Sequence, residues 1–195
     1  MDRESELALV RRLRTREAAA FDTVLEHFHT PLFNFLARLS RRRDLAEDLI
    51  EETWLRLVAR APTLREDTRL GPWLFTVARN LYVSYCRSRL VEDSHLASLM
   101  GLWPCGVRQP SPFESTAATE SERRIEAALA ALPVLYREAL LLVGVQGLSI
   151  AESCEVCGIS PEAMRQRVSR ARSLLARRLD QAAVQRLADL REVET

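Results

Sequence analysis

The residues with the clearest chemical potential in this sequence are arginines that share one face of a predicted helix near the C-terminus. At about 100° per residue, one side of this helix is an apolar stripe, which consists of Met164, Val168, Ala171 and Leu175. The opposite side carries Arg165, Gln166, Ser169, Arg170, Arg172 and Arg177. Forked arginine donors suit a DNA major groove, which is lined by phosphates and guanine edges. For an isolated helix, a solvated basic surface would be the commoner explanation.

The elements before this helix favour DNA binding. Ser149 and Glu152 have the spacing of a capping box and predict a short helix that stops at Gly158. Ser160 and Pro161 then provide a cap and a first-turn proline for the arginine-bearing helix. A short helix, a glycine turn and a second helix are typical of a helix-turn-helix.

A second candidate surface is acidic. The helix predicted over residues 44–60 has acids at successive three and four spacings, namely Asp44, Glu47, Asp48, Glu51 and Glu52. Its apolar side includes Leu49 and Trp54. A continuous acidic stripe cannot face DNA, because the phosphates repel it. It is either solvent-facing surface or a docking strip for a basic partner protein, and the sign of the charge alone does not separate the two.

A third surface combines groups that bind unpaired bases. In the helix predicted from Trp73 to about Arg89, the buried side is predicted to hold Leu74, Val77, Ala78, Leu81 and Tyr85. A neighbouring face carries Trp73, Thr76, Asn80, Ser84 and Arg87. An aromatic plane, an amide, hydroxyls and a cation can stack on and hydrogen-bond to single-stranded bases. The alternative is that Trp73 belongs to the core and Asn80 to ordinary surface.

No pattern in the sequence indicates catalysis, a metal or a cofactor. Phosphate-binding glycine loops, nucleophile elbows and convergent acid–base sets are absent. The three histidines are scattered, and the pair Cys154 and Cys157 has no second ligand pair nearby, so we predict that these cysteines are core residues. A reduced state is expected for the four cysteines.

The elements that position these surfaces are predicted to be helices throughout. Apolar residues recur at three and four spacings, and strand-like alternation is absent. In the first four predicted helices, Thr15 is a candidate cap, Pro31 opens the second helix, Asp44 and Glu47 form a capping box for the third, and Gly71 precedes the fourth. The predicted fold is therefore all-α.

Two small helical domains are expected, joined by a flexible linker. Periodicity fails after residue 90, where Pro104, Pro110 and Pro112 occur. The predicted boundaries are 1–90 for a helical bundle, 91–120 for the linker and 121–195 for the helix-turn-helix domain.

Charge and hydropathy limit the possible partners and the cellular location of the protein. The net charge is only +1, yet every cation is an arginine and the arginines are concentrated in particular segments. No apolar run approaches the length of a membrane span, and the N-terminus lacks a signal-peptide pattern. We therefore expect a cytoplasmic location and no membrane insertion.

Two groups of motifs resemble the extracytoplasmic-function (ECF) sigma factors of the sigma-70 family. Residues 46–56 (AEDLIEETWLR) and 73–80 (WLFTVARN) resemble region 2 of that family. Five further segments resemble region 4, namely Leu132-Pro133, residues 137–142, residues 147–149, residues 158–160 and residues 167–172. Three positions depart from the usual pattern of the family. Ser153 stands where a larger apolar residue is common, Glu51 where glutamine is frequent, and Ser84 where a carboxylate or an amide is common.

The resemblance implies a bacterial RNA polymerase subunit that directs promoter-specific transcription initiation. Docking on the clamp coiled coil of the largest polymerase subunit is implied for Asp48, Glu51, Glu52, Trp54 and Leu55. Minus-ten recognition is implied for residues 63–70 with Trp73 and Asn80, and Thr76 and Arg87 complete the predicted set. Minus-thirty-five recognition is implied for Arg165, Gln166, Ser169, Arg170 and Arg172. The implied partners are core RNA polymerase, including its flap, promoter DNA and an anti-sigma factor.

Two other functions remain open at the level of sequence. A two-domain helix-turn-helix regulator could sense a ligand or a metal with its N-terminal bundle, although a sensor does not need the acidic helix or the 73–80 segment. An adaptor or anti-sigma protein could bind polymerase without reading promoters, but it would not need a cationic recognition helix.

Overall fold

The computed structural model describes residues 2–92 and 119–193, and every regular element within these ranges is helical. The first half contains α1 (Arg3–Arg14), α2 (Ala18–Ser40), α3 (Arg43–Arg60), a 3₁₀ turn (Ala61–Thr63) and α4 (Leu70–Glu92). The second half contains α5 (Glu120–Ala130), α6 (Val134–Leu140), a π-helical turn (Leu141–Val145), α7 (Ile150–Cys157) and α8 (Pro161–Val193). The all-α prediction is confirmed. None of these described helices is long and apolar enough to span a membrane.

The N-terminal helix α1 was not among the predicted elements. Its cap is Asp2, whose carboxylate accepts a hydrogen bond from the Ser5 backbone N–H at 2.9 Å. Leu9, Val10 and Leu13 bury its inner side. The prediction that Thr15 caps a following helix is wrong, because this residue ends α1.

Helix α2 replaces two predicted helices. Pro31 was expected to open a second helix, but it lies inside one continuous helix of 23 residues. A proline there removes one backbone hydrogen bond. Leu32, Phe35 and Leu36 are fully buried directly after it, and this packing stabilises the helical path despite the lost bond.

The predicted capping box of α3 does not form. The N-cap is Arg42, which makes no side-chain capping bond, and Asp44 in the first turn pairs with the Arg42 guanidinium instead. A carboxylate in the first turn is still favourable, because it interacts with the positive end of the helix dipole. The predicted end of the helix at Arg60 is confirmed.

Helix α4 is rotated relative to the prediction. Leu74 and Ala78 are buried as expected, whereas Val77, Leu81 and Tyr85 are only half-buried. Phe75, Tyr82, Val83 and Cys86 are also buried. The reason is tertiary: α4 packs against α2 and α3 on one side and against α7 on another, so its apolar surface is wider than one stripe.

One hydrophobic core runs through both halves of the molecule. It joins buried residues of α1 to α4 with Leu141 and Leu142 of the π-helical turn, with Cys154 and Val156 of α7, and with Met164 of α8. A smaller cluster of Leu129, Leu132, Leu140 and Ala171 holds α5 and α6 against α8. The boundaries 1–90, 91–120 and 121–195 stay a prediction, and nearly all of the predicted linker lies outside the described residues.

The cysteines are in two states. Cys154 and Cys157 are free and buried, which confirms the prediction that they are core residues. The expected reduced state is wrong for Cys86, which is disulfide-bonded.

Candidate nucleic-acid interface

The helix-turn-helix forms by the local interactions that its sequence predicts. The Ser149 backbone N–H donates to Glu152 Oε2 at 2.8 Å, and the Glu152 N–H donates to Ser149 Oγ at 3.2 Å, so the capping box of α7 is complete. Gly158 ends α7 in the left-handed conformation, with φ of +65°. The Ser160 hydroxyl then accepts from the Ala163 N–H at 3.2 Å and caps α8.

Helix α8 presents the predicted cationic face to solvent. Met164, Val168 and Ala171 are buried and Leu175 is half-buried, which fixes the rotation of the helix. All five predicted contact residues are exposed, namely Arg165, Gln166, Ser169, Arg170 and Arg172. Between Ser160 and Arg178, Glu162 is the one acidic residue, and its carboxylate lies 3.6 Å from Arg165 Nη1. The face is therefore free to meet a polyanion.

A shallow concavity extends this face toward α6. It has a volume of about 340 Å³ and is lined by Tyr136, Ser169, Arg170, Ser173, Leu174 and Arg177. Tyr136 of α6 was missed as a lining residue, because only the packing of α6 against α8 brings its ring to this edge.

A second concavity lies beside the N-terminal part of α4. Its volume is about 520 Å³, and its walls are Arg56, Arg60, Thr63, Leu64, Arg65, Thr68, Trp73, Val77, Asn80, Leu81 and Ser84. An indole, an amide and three guanidinium groups thus surround one open pocket. These groups can stack on a base, hydrogen-bond to its edge and attract its phosphate.

The structure brings together only part of the predicted minus-ten set. Trp73 and Asn80 line the pocket, but Thr76 and Arg87 do not. The Thr76 hydroxyl donates to the Pro72 carbonyl oxygen at 2.7 Å within its own helix, and Arg87 is exposed farther along α4. Arginines at the end of α3 were missed, because only tertiary packing places them opposite Trp73.

The interior beside the helix-turn-helix contains a buried polar cluster without catalytic features. Glu138 Oε1 accepts from Arg79 Nε at 2.8 Å, and Cys157 Sγ lies 3.5 Å from Glu138 Oε2. Burial, followed by the nearby Glu138 carboxylate, raises the pKa of the Cys157 thiol to about 12. A thiol with that pKa is unreactive at neutral pH, and no group of metal-ligating residues exists in residues 2–92 and 119–193.

Comparison with known proteins agrees with this geometry. Residues 24–90 match the family model "Sigma-70 region 2", and residues 122–175 match "Sigma-70, region 4". The ECF RNA polymerase sigma factor EcfG of Rhodopseudomonas palustris is 39% identical over 144 residues, which are 73% of this chain and 75% of that protein. The chain belongs to the ECF sigma factors of the sigma-70 family. It therefore directs promoter-specific initiation of transcription.

More distant relatives support the same assignment. The ECF sigma factor SigM of Bacillus subtilis is 28% identical, with 79% of this chain and 91% of SigM covered. The sigma factor RpoE of Bartonella quintana, solved with the anti-sigma factor NepR, superimposes with a TM-score of 0.70 at 28% identity and covers 82% of this chain and 96% of RpoE. These matches do not favour the sensory regulator that the sequence left open.

The predicted polymerase-docking residues of this sigma factor form a mixed surface on α3. Asp48 and Glu51 are exposed, Leu55 is 64% exposed, and Glu52 accepts from Arg56 Nε at 2.8 Å. Because these positions follow one another at three and four spacings, they lie on one face of the helix. Acidic groups thus flank an exposed leucine, as in a surface that binds a partner protein.

Trp54 is oriented differently from its neighbours on α3. Its ring stacks on that of His29, with centroids 6.2 Å apart, in a groove between α2 and α3. Phe33 and Arg43 also line this groove. The indole N–H is buried and has no hydrogen-bond partner among the described residues. Trp54 therefore lies at the edge of the predicted docking face and does not project from its centre.

Proposed function

We propose that this sigma factor reads its promoter with two separate faces. The exposed arginine face of α8 reads the minus-thirty-five element as duplex DNA, and the pocket beside α4 holds an unpaired base of the minus-ten element. The observation that carries the proposal is the exposure of Arg165, Gln166, Ser169, Arg170 and Arg172 on the second helix of a capped helix-turn-helix. Recognition helices of this motif place such side chains against base edges in the major groove.

The minus-ten proposal rests on the composition of the α4 pocket. Trp73 offers an aromatic plane for stacking, and Asn80 offers both a donor and an acceptor for a base edge. We add Arg56 and Arg60 of α3 to the predicted set, since both line this pocket. Thr76 is removed from direct base contact, because its hydroxyl already bonds to Pro72.

The partner proposals follow from the acidic face of α3 and from the relatives. Asp48, Glu51, Glu52 and Leu55 dock on the clamp coiled coil of the largest polymerase subunit, with Trp54 at the margin, while the 121–195 half meets the flap. An anti-sigma factor masks the free subunit, as the complex of RpoE with NepR suggests. The polymerase performs the chemistry, so this chain is not an enzyme and requires no cofactor, and it acts in the cytoplasm.

The predicted domain boundaries belong to the same proposal. Residues 1–90 act as the polymerase-docking and minus-ten unit, residues 121–195 act as the minus-thirty-five unit, and residues 91–120 connect them. The family models support this division, because their matches end at residue 90 and resume at residue 122.

Replacement of the recognition arginines tests the proposal. We expect Arg165→Ala and Arg170→Ala each to weaken promoter binding by reconstituted holoenzyme by about 1 to 3 kcal/mol, because each removes contacts to bases. Binding to core polymerase should stay unchanged. The measurements are promoter titrations at fixed salt and a separate titration of core enzyme.

Arg11→Ala is the matched control, since Arg11 is exposed on α1 and lines neither concavity. If Arg11→Ala and Arg165→Ala weakened promoter binding equally, the loss would be explained by the change in net charge and not by a contact to a base. A loss of core binding in the α8 variants would contradict the proposed roles of α3 and α8.

A further inference from the structure

The first helix of the molecule contacts the stretch of chain that forms one wall of the α4 pocket, residues 63–70 (the 63–70 segment). Arg3 Nη2 donates a hydrogen bond to the Asp67 carbonyl oxygen at 2.7 Å, and Glu6 Oε1 accepts one from the Leu70 backbone N–H at 2.8 Å. Each bond joins residues that are 64 positions apart in the sequence. Helix α1 is therefore tied to the 63–70 segment at two points.

The Glu6 carboxylate bonds to two groups at once. Besides the Leu70 N–H, it contacts Arg3 Nη1 through Oε2 at 2.6 Å, and only 14% of its side chain is exposed. Leu70 is the first residue of α4, where backbone N–H groups have no acceptor within the helix. A carboxylate is also favourable near this positive end of the helix dipole. Glu6 thus caps α4 from another helix, and it orients the arginine that reaches Asp67.

The middle of the 63–70 segment has no hydrophobic anchor of its own. Leu64 and Leu70 are buried near its ends, but every residue in the range 65–69 is exposed or half-buried. Arg69 pairs with Glu152 of α7 at 2.6 Å. Parts of a chain with few buried apolar contacts open at a low free energy. Polar contacts, more than burial, therefore determine how firmly this stretch is held.

Helix α1 is the fixed side of the contact. Leu9, Val10 and Leu13 bury its inner face in the hydrophobic core. Its first turn is capped by Asp2, whose carboxylate accepts from the Ser5 N–H. The turn that carries the two contacting side chains is therefore ordered by its cap and anchored by the core behind it.

The 63–70 segment supplies four of the residues that line the α4 pocket, namely Thr63, Leu64, Arg65 and Thr68. The lining contains no residue of α1, so α1 can act on a bound base only through the segment. A pocket wall that is ordered only when the ligand binds loses conformational entropy at that step, which weakens binding. Contacts that order the wall beforehand strengthen binding without touching the ligand.

We infer that α1 is a positioning element of the minus-ten pocket, in which Glu6 and Arg3 hold the 63–70 segment in the form that binds an unpaired base. This inference rests on the proposed function, because it requires that the pocket holds that base. Glu6 is the main positioning residue, since its carboxylate takes part in both contacts. Arg14 also pairs with Glu66 of the segment, but that glutamate is 65% exposed, and exposed ion pairs contribute little.

DNA binding by the reconstituted holoenzyme tests the positioning role. The probe is a promoter fragment that has a single-stranded minus-ten element and no minus-thirty-five element. We expect Glu6→Ala to weaken binding of this probe by about fivefold to twentyfold and Arg3→Ala by about threefold to fivefold, because the segment is then ordered only as the base binds. For both variants, the affinities for a duplex minus-thirty-five fragment and for core polymerase should stay unchanged.

Three companion variants separate positioning from a general loss of stability or charge. Glu6→Gln keeps a side-chain oxygen that accepts from the Leu70 N–H, so its binding should weaken by less than about threefold. Glu4→Ala removes an exposed carboxylate from the same first turn and should bind the probe like the wild type. Arg14→Ala should weaken binding by less than about twofold. Circular dichroism checks the folding of each variant, and if Glu6→Ala does not fold, Arg3→Ala decides the question, because Arg3 is 45% exposed.

A double-mutant cycle with Trp73→Ala shows whether α1 acts through the pocket. Trp73→Ala alone should weaken binding of the probe, because it removes the stacking plane. Adding Glu6→Ala should then weaken binding by less than about twofold more, since the base that the segment encloses is no longer held. The inference would be overturned by full additivity of the two losses, by wild-type binding of both Glu6→Ala and Arg3→Ala, or by an equal loss for Glu4→Ala.

Hydrogen exchange of the backbone amides in the free chain provides a readout that does not involve DNA. Glu6→Ala should speed exchange at Leu70 and over residues 65–69 by about tenfold, while exchange in the middle of α2 and α3 stays unchanged. Unchanged exchange in the segment would refute the positioning contact. If exchange rises but Trp73→Ala leaves binding of the probe unchanged, the proposed minus-ten pocket is wrong, and the role of α1 in base binding is refuted with it. If Trp73→Ala weakens binding and Glu6→Ala and Arg3→Ala do not, only the inference about α1 is wrong.

Discussion

At the scale of single residues, the helix-turn-helix contains a hydroxyl in an apolar setting. Ser153 on α7 is 0% exposed, and its Oγ has no hydrogen-bond partner among the described residues. Leaving a buried hydroxyl unpaired costs about 1 to 3 kcal/mol. This position is one of those at which the sequence departs from the pattern of its family, so the departure has a physical cost.

Ser153→Ala should therefore stabilise the protein. We expect the free energy of unfolding to rise by about 1 kcal/mol, because the substitution removes the unpaired hydroxyl and favours the helix. Urea denaturation followed by circular dichroism measures the change. Ser121→Ala, at an exposed position of α5, is the control and should change stability by less than about 0.5 kcal/mol. Destabilisation by Ser153→Ala would show that the hydroxyl has a bonding partner.

At the scale of elements, the turn between α7 and α8 sets the direction of the recognition helix. Gly158 has φ of +65°, and a Cβ there would meet no atom within 4 Å. The only obstacle to a side chain is thus the backbone conformation, which disfavours residues other than glycine. The α7 capping box and the Ser160 cap fix the helix ends on either side of this turn.

Gly158→Ala should lower the free energy of unfolding by about 1 to 2 kcal/mol, the cost of a left-handed non-glycine residue. Gly144→Ala is a close control, because its Cβ would also meet no atom within 4 Å but its φ is not positive. That variant should be neutral or slightly stabilising, since alanine is the better helix former. Equal effects in the two variants would refute the conformational explanation. Thermal and urea denaturation provide the measurement.

At the scale of the whole molecule, charge is sorted by helix while the total stays near zero. The chain has 28 cationic and 27 acidic side chains, and its net charge is +1. The arginine face of α8 is opposed by acids elsewhere, including the exposed stripe on α3. Because non-specific DNA affinity depends on phosphate neutralisation, the free chain gains little from its overall field.

The isolated sigma factor should bind promoter DNA weakly. At moderate salt we expect no sequence-specific complex at concentrations at which the holoenzyme forms one, because the polymerase links the two reading faces into one bivalent ligand. Gel shifts with the free chain, core enzyme and holoenzyme on the same promoter fragment measure this. Tight, specific binding by the free chain would contradict the bivalent explanation.

The sequence by itself determined the features that depend on neighbours within four or five residues. The helical class, the capping box at Ser149, the turn at Gly158 and the cationic face of α8 all follow from local hydrogen bonding and from a periodicity of 3.6 residues. The resemblance to sigma regions 2 and 4 was equally visible, since it rests on short motifs.

Only the tertiary structure decided the features that depend on distant residues. Packing carries α2 through Pro31, rotates α4 so that Tyr82 is buried, and places Arg56 and Arg60 across a pocket from Trp73. It also joins Arg79 to Glu138, 59 residues away in the chain. Local patterns cannot predict such contacts. The hydrophobic effect favours the burial of apolar surface without specifying its partner, and the packing of all the helices together decides which surfaces come into contact.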